Sequence, residues 1–381
     1  MPKSIIIIAG EPSADMHGAA LTRALKISNP NLVISGIGGP QMREAGVKTF
    51  ADLTQYAVIG FIEVLKHFSI FKKTFELTLL QIKKEQPQAV ILIDYPGFNL
   101  RLAKRIKQDI PKVKVIYYIS PQIWAWGKKR INLIKQTVDK MLVVFKFEET
   151  MYKENGIDAK FVGHPLLEKF KGLKEKKAVL ESMNLSDTDK ILSILPGSRI
   201  NEVKKLLPVM LKGATALQKK MPEIKFLLIR ALNINSDLIR GITHDYRHLN
   251  LKIIDKNTYD ARNISSFAWV CSGTATLETA ILGIPMLVVY KTSFLTWFTT
   301  KLLIELPYIG LVNVVAGKKI VPEFIQYHAN PTNLFKATID FFNLNAQKQD
   351  DIKQALTKVK LNLGTSDANK NAAQAIAALI N

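Results

Sequence analysis

Cysteine is almost absent from this chain. Its 381 residues include one, Cys271, so no intramolecular disulfide framework exists and a reducing compartment is expected. Cys271 closes the apolar run Phe267 to Cys271 and reads as core packing. Long hydrophobic runs are also missing. No segment reaches the ~20 apolar residues of a membrane-spanning helix. The first apolar run stops after Ile8, without the cleavage site of a signal peptide, so a cytoplasmic protein is expected. A metal-ligand cluster is missing too: the six histidines, among them His17, His67 and His164, form no Cys-His cluster. The D-x-D at Asp187 to Asp189 precedes a strand instead of following one and reads as a turn, so no metal and no cofactor are expected. Acidic residues are scarce beside basic ones, 32 against 53, which leaves a net charge of +21. The excess is spread, 24 basic against 15 acidic in residues 1–168 and 29 against 17 in residues 169–381. Such a field suits an anionic partner: nucleic acid, an anionic membrane surface or a phosphorylated substrate.

What is present is an alternation of short aliphatic runs with helix-length segments, and it occurs twice. The first half offers strands at Ser4 to Ala9, Leu32 to Ile37, Ala89 to Ile93, Val113 to Ile119 and Lys140 to Val144. The second offers Ile191 to Leu195, Lys225 to Ile229, Leu251 to Ile254, Phe267 to Cys271 and Met286 to Tyr290. Near-continuous aliphatic runs of this length suit parallel sheets covered on both faces. A Gly-His-Pro turn at Gly163 to Pro165 and a lysine-dense stretch mark the join, and after Pro331 the pattern turns all-helical. The expected organisation is α/β, with two doubly wound domains at 1–168 and 169–330 facing a cleft, then C-terminal helices at 331–381.

The informative loops follow strands. SGTATLETAI, Ser272 to Ile281, reads as a tight turn (Ser272, Gly273, Thr274) opening a helix, where backbone N–H groups and the dipole favour phosphate. Glu278 lies one turn in, placed to grip a ribose diol. LPGSR, Leu195 to Arg199, supplies a second such turn and a guanidinium for a diphosphate. In the first half, GEPSADMHGA places Glu11, Ser13 and Asp15 before a helix; negative charge there argues against pyrophosphate and for sugar hydroxyls. IDYPGFN puts Asp94 at a strand end, as a catalytic carboxylate or a capping one, with Asn99 starting a helix. In SPQIWAW, Trp124 and Trp126 either flank a sugar or acyl chain or pack the core.

Two segments are unusually apolar: Val58 to Lys73, with Phe61, Phe68 and Phe71, and Phe294 to Ile304, with Trp297 and Phe298. Aromatic and aliphatic helices beside lysines suit a lipid interface, and core or oligomer packing is the alternative.

GEPSAD, GIGGPQM (Gly36 to Met42), IDYPGFN, SPQIWAW, FVGHPL, LPGSR, SGTATLE and IVPEFIQ, in this order, closely resemble the lipid-A-disaccharide synthases. These are inverting glycosyltransferases with two Rossmann-like domains of GT-B type. The resemblance spans the chain to about residue 330. Ala14 stands where the family usually has glycine, and Lys146 where it has proline. The resemblance implies transfer of 2,3-diacylglucosamine from its UDP derivative to 2,3-diacylglucosamine 1-phosphate, giving a β(1→6) disaccharide phosphate and UDP. It implies Asp94 as base, Asn313, Glu323 and Gln326 on the donor side, and Glu11 and Asn99 near the acceptor sugar; the first-loop reading places Asp15 on the acceptor side too. It also implies a peripheral enzyme on the anionic inner-membrane surface, with no nucleic-acid partner; an oligomer is possible. A UDP-sugar epimerase of the same architecture and a non-enzymatic anionic-lipid or nucleic-acid binder are the competing readings.

Overall fold

A computed structural model of the chain describes residues 3–56, 68–125, 127–292, 307–365 and 367–380. Its strands form two sheets, and every pairing in them is parallel. The first sheet holds β1 (Ser4–Ala9), β2 (Val33–Ile37), β3 (Lys48–Ala51), β4 (Ala89–Ile93), β5 (Lys114–Tyr118), β6 (Lys140–Val143) and β7 (Ala159–Phe161). Their spatial order is β3-β2-β1-β4-β5-β6-β7. The second holds β8 (Ile191–Leu195), β9 (Lys225–Ile229), β10 (Leu251–Ile254), β11 (Phe267–Cys271), β12 (Met286–Tyr290) and β13 (Glu323–Ile325), in the order β10-β9-β8-β11-β12-β13. Both sheets are doubly wound. The strand order reverses between β1 and β4 in one and between β8 and β11 in the other, the place where such sheets bind ligands.

The central strands are aliphatic because both faces are covered. Ile5, Ile6, Ile7 and Ile8 are wholly inaccessible, as are Val90, Ile91, Leu92 and Ile93, and each such side chain contributes about 1.5–3 kcal/mol by burial. Gly36 is needed where β2 meets β1: a Cβ there would lie 1.9 Å from the Ile7 carbonyl oxygen. In the second sheet Trp269 is fully buried and donates from Nε1 to Thr338 Oγ1 at 2.8 Å. Its ring lies against Gly213 of the helix Ile200–Lys220, where an added Cβ would come within 3.1 Å of it. Several helices open on a proline in the first turn, including Pro12–Ser28, Pro40–Glu44, Pro96–Asp109 and Pro331–Phe342, where no N–H is missed.

The ten strands expected from aliphatic runs are present, with ends shifted by at most a residue or so. The short edge strands β3, β7 and β13 were not expected. Their residues are mostly half-buried or exposed, so they leave no continuous apolar run. The chain divides into one unit of Met1–Glu168 with Leu363–Asn381 and another of Lys169–Asn362. The helical stretch 331–381 is therefore not one segment. Pro331–Phe342 packs on Ile200–Lys220, and Ala368–Ile380 packs on Pro12–Ser28 in the first unit. Asn369 fixes that return: its amide donates to both Glu168 oxygens at 2.9 Å, and its oxygen accepts from Tyr118 OH at 3.1 Å. Among the described residues no helix is long and apolar enough to cross a membrane.

Candidate active site

In the first unit, the loops after β1 and β4 bring Glu11 and Asp94 together. Asp94 and Tyr95 both adopt the left-handed conformation, φ 46° and 47°, which costs a non-glycine residue roughly 1–2 kcal/mol each. Side-chain hydrogen bonds help to hold this turn. Tyr117 OH and Asn99 Nδ2 both donate to the Asp94 carbonyl, at 2.6 and 2.8 Å, and Asn99 Nδ2 also reaches the Ile93 carbonyl at 3.1 Å. They fix the Asp94 backbone at the end of β4. Burial pushes the Asp94 carboxyl above the usual aspartate range, against a backbone hydrogen bond from Tyr95. Burial and then the charge of Asp94 raise Glu11 as well. Gly10 admits the Tyr95 ring, because a Cβ there would meet its Cδ1 at 2.6 Å.

Asn99 and Asp15 are not presented to a ligand as expected. Asn99 is 0% exposed and is occupied with the Asp94 backbone. Asp15 is 2% exposed, and its carboxylate accepts from the N–H groups of Gly39, Gln41 and Met42 at 2.7, 3.0 and 3.1 Å. It anchors the start of the helix Pro40–Glu44, which explains why GEPSAD and GIGGPQM occur together. Ala14 is buried in a regular helix. The half-buried Trp124 has neighbours of its own: its indole donates to Glu148 Oε1 at 2.9 Å and meets the Phe147 ring edge-on at 5.2 Å. Glu148 also caps its own helix, Lys146–Glu154, by accepting from Phe145 N at 3.2 Å. Trp126 lies outside the described residues.

In the second unit, the turns after β8 and β11 adjoin. Gly197, at φ 123°, lies so close to Glu202 and Cys271 that a Cβ would stand 2.6 Å from Glu202 Oε2 and 3.3 Å from Cys271 Sγ. Glu202 accepts from Ser198 N and Arg199 N and pairs with the Arg199 guanidinium at 2.9 Å. The Arg199 side chain is 82% exposed, so it remains available to an anion. Burial, and then Glu202, push the Cys271 thiol up to about 12, which makes it inert packing as expected. Gly273, at φ 147°, opens the helix Thr274–Ile281, with Thr274 exposed at its first position. Backbone N–H groups at such a helix start lack intrahelical partners and suit phosphate.

Ser272, Asn313 and Glu323 converge on one short backbone stretch. Ser272 Oγ donates to the Ile309 carbonyl at 3.0 Å, while the Glu323 carboxylate accepts from Ile309 N, Gly310 N and Asn313 Nδ2 at 2.9, 3.0 and 2.8 Å. Asn313 is 0% exposed, and its oxygen accepts from Ile320 N and Val321 N. Gln326, at φ 53°, accepts from Thr292 N at 3.1 Å. Glu278 is held separately, between Tyr259 OH at 2.9 Å and Arg262 Nη1 at 2.8 Å. Tyr259 and Arg262 belong to no motif recognised in the sequence. An isolated basic residue in a six-residue helix, Thr258–Asn263, gives no periodic signal.

Of the apolar residues expected to face lipid, Phe71 is corrected: it is 9% exposed and packs in the first core, its ring 6.4 Å from Tyr95. Phe68 opens the helix Phe68–Glu85, with its side chain outside the description; Phe61, Trp297 and Phe298 also lie outside the described residues. Asp187 and Asp189 sit in a turn before β8, where Asp189 accepts from Ser186 N at 2.8 Å. Among the described residues, no three His, Cys, Asp or Glu side chains are grouped to hold a metal ion.

The fold is similar to that of a putative UDP-N-acetylglucosamine 2-epimerase from Listeria monocytogenes, at 15% identity and TM-score 0.66, covering 99% of this chain and 96% of that one. It is equally similar to the glycotransferase of kitacinnamycin, at 11% identity and TM-score 0.67 over the full length of both. Those likenesses establish the architecture. The sequence goes further: it is 41% identical over 365 residues to lipid-A-disaccharide synthase 1 of Legionella pneumophila (strain Lens), covering 96% of this chain and 94% of that protein. The family model described as lipid-A-disaccharide synthetase matches residues 5–379. With both sheets reversing beside the expected motifs, the chain belongs to the lipid-A-disaccharide synthase family.

Proposed function

We propose that this chain transfers a 2,3-diacylglucosamine unit from UDP-2,3-diacylglucosamine to the 6-hydroxyl of 2,3-diacylglucosamine 1-phosphate, with inversion, releasing UDP. The observation that carries this is membership of the family over residues 5–379. Asp94 takes the proton from the acceptor hydroxyl as its oxygen attacks the anomeric carbon, and the bond to the UDP oxygen breaks. The raised proton affinity of a buried carboxyl suits a base. Glu11 binds acceptor hydroxyls. Asn99 and Tyr117 act through the Asp94 backbone, and Asp15 through the loop it anchors.

On the donor side, Arg199 and the Ser272–Thr274 turn meet the diphosphate, whose charge grows as it leaves. Glu278 receives the ribose hydroxyls. Asn313, Glu323 and Gln326 hold the backbone that shapes the donor pocket. No step requires a divalent ion. The enzyme works at an anionic membrane surface, to which both acylated substrates and the net charge of +21 direct it.

Incubation with the two lipid substrates, followed by chromatography, is expected to yield the disaccharide phosphate and UDP at a rate unaffected by EDTA. Turnover of water-soluble UDP-N-acetylglucosamine in place of the lipid pair would instead support an epimerase. Inhibition by EDTA, relieved by magnesium, would overturn the metal-free account.

A further inference from the structure

Glu278 stands on the second turn of its helix with 15% of its side chain exposed, and each carboxylate oxygen already accepts one hydrogen bond. Tyr259 OH donates to Oε1 at 2.9 Å and Arg262 Nη1 to Oε2 at 2.8 Å. A carboxylate oxygen accepts two bonds, so one position remains on each. Two adjacent acceptor positions match two vicinal hydroxyls. Which way they point is decided by the two donors, because a glutamate side chain otherwise rotates about three bonds.

The donors are themselves fixed. Arg262 has only 4% of its side chain exposed, and its second terminal nitrogen donates to Thr279 Oγ1 at 3.0 Å and toward the Ala275 carbonyl at 3.4 Å. These partners lie on the helix that carries Glu278, so the guanidinium locks the carboxylate to its own backbone. The Tyr259 ring lies 5.4 Å from the guanidinium and meets Phe170 edge-on at 5.0 Å. Burial, then the charge and hydrogen bond of Glu278, hold the Tyr259 phenol well above its ordinary proton affinity, so it stays a donor. At i and i+3 on the helix Thr258–Asn263, the two side chains reach the same partner.

We propose that Tyr259 and Arg262 are positioning residues for nucleotide recognition, which hold the Glu278 carboxylate in the one orientation that receives a ribose diol. This rests on the reading of Glu278 as the ribose ligand. A plain structural ion pair would stabilise the fold without affecting which nucleotide is bound, and that difference is measurable.

The test compares calorimetric binding of UDP and 2′,3′-dideoxy-UDP to the full-length protein and to Tyr259→Phe, Arg262→Lys and Glu278→Gln. The unaltered protein is expected to prefer UDP. Tyr259→Phe, which keeps the ring, should reduce that preference by about 3- to 10-fold, as one hydrogen bond would, and leave dideoxy-UDP affinity unchanged. Arg262→Lys should reduce it at least as much. Equal weakening of both nucleotides by Tyr259→Phe, or an unchanged preference, overturns the proposal even if Arg262→Lys fails to fold. Loss of the preference in Glu278→Gln alone would leave the ribose reading standing without the two positioning residues. A preference unchanged in Glu278→Gln would remove the ribose reading itself.

Discussion

At the scale of single residues, the proposed base sits in a turn that local preference opposes. Consecutive left-handed residues at Asp94 and Tyr95 persist because Asn99 and Tyr117 both bind the Asp94 carbonyl. These bonds engage the carbonyl and not the carboxyl. Asp94→Asn is nearly isosteric and keeps that backbone, so it should fold and bind UDP normally while losing about 10²- to 10⁴-fold in turnover. Because burial raises this group, the acid limb of kcat/KM should fall at a pH above the 3.8 of an ordinary aspartate, with activity lost as the pH drops and the base is protonated. Near-normal turnover of the asparagine variant at every pH would eliminate Asp94 as the base. Residue types at strand ends were legible in the sequence; their partners were not. Nothing in SGTATLE indicates that Glu278 is gripped by Arg262, sixteen positions earlier, because that contact is made by folding and not by spacing.

Elements were legible in proportion to how completely they are buried. Strands such as Ala89–Ile93 announce themselves because both faces are covered, whereas Lys48–Ala51 at a sheet edge is half polar and reads as loop. The loop after β5 illustrates a tie that no pattern reveals. Trp124 binds Glu148 across 24 positions, and Tyr152 OH reaches the Pro121 carbonyl at 3.3 Å, so the helix Lys146–Glu154 holds the SPQIWAW loop. Burial pushes Glu148 up to about 7 from an ordinary 4.5, against the indole hydrogen bond that lowers it. Below 4.5 the folded and unfolded chains both hold the proton; between 4.5 and about 7 the folded chain alone holds it. The stabilisation is therefore full at the acid end and lost as the pH rises to about 7, by on the order of 3 kcal/mol. Melting curves across that window should slope downward with pH more steeply for the unaltered protein than for Glu148→Gln, which cannot ionise. Identical slopes would show that Glu148 does not take up a proton on folding.

For the whole molecule, the question is what the charge of +21 does once both cores are accounted for. Its attraction to an anionic surface is screened by salt within about 8 Å at physiological strength. Charge alone would thus give binding that disappears in high salt. Apolar side chains entering the headgroup region would leave a salt-resistant remainder. Phe71 cannot supply that remainder, since it is a core residue, and Phe71→Ser should act on stability, removing an interaction set worth about 3–5 kcal/mol in comparable truncations. Trp297 and Phe298 are the candidates. Cosedimentation with vesicles of anionic phospholipid, in low and high salt, should show that Trp297→Ser with Phe298→Ser abolishes the salt-resistant fraction while the melting temperature stays unchanged. Phe71→Ser should lower the melting temperature and leave that fraction intact in protein that remains folded. If high salt releases the unaltered protein completely, the apolar segments take no part and charge alone accounts for its binding to anionic lipid.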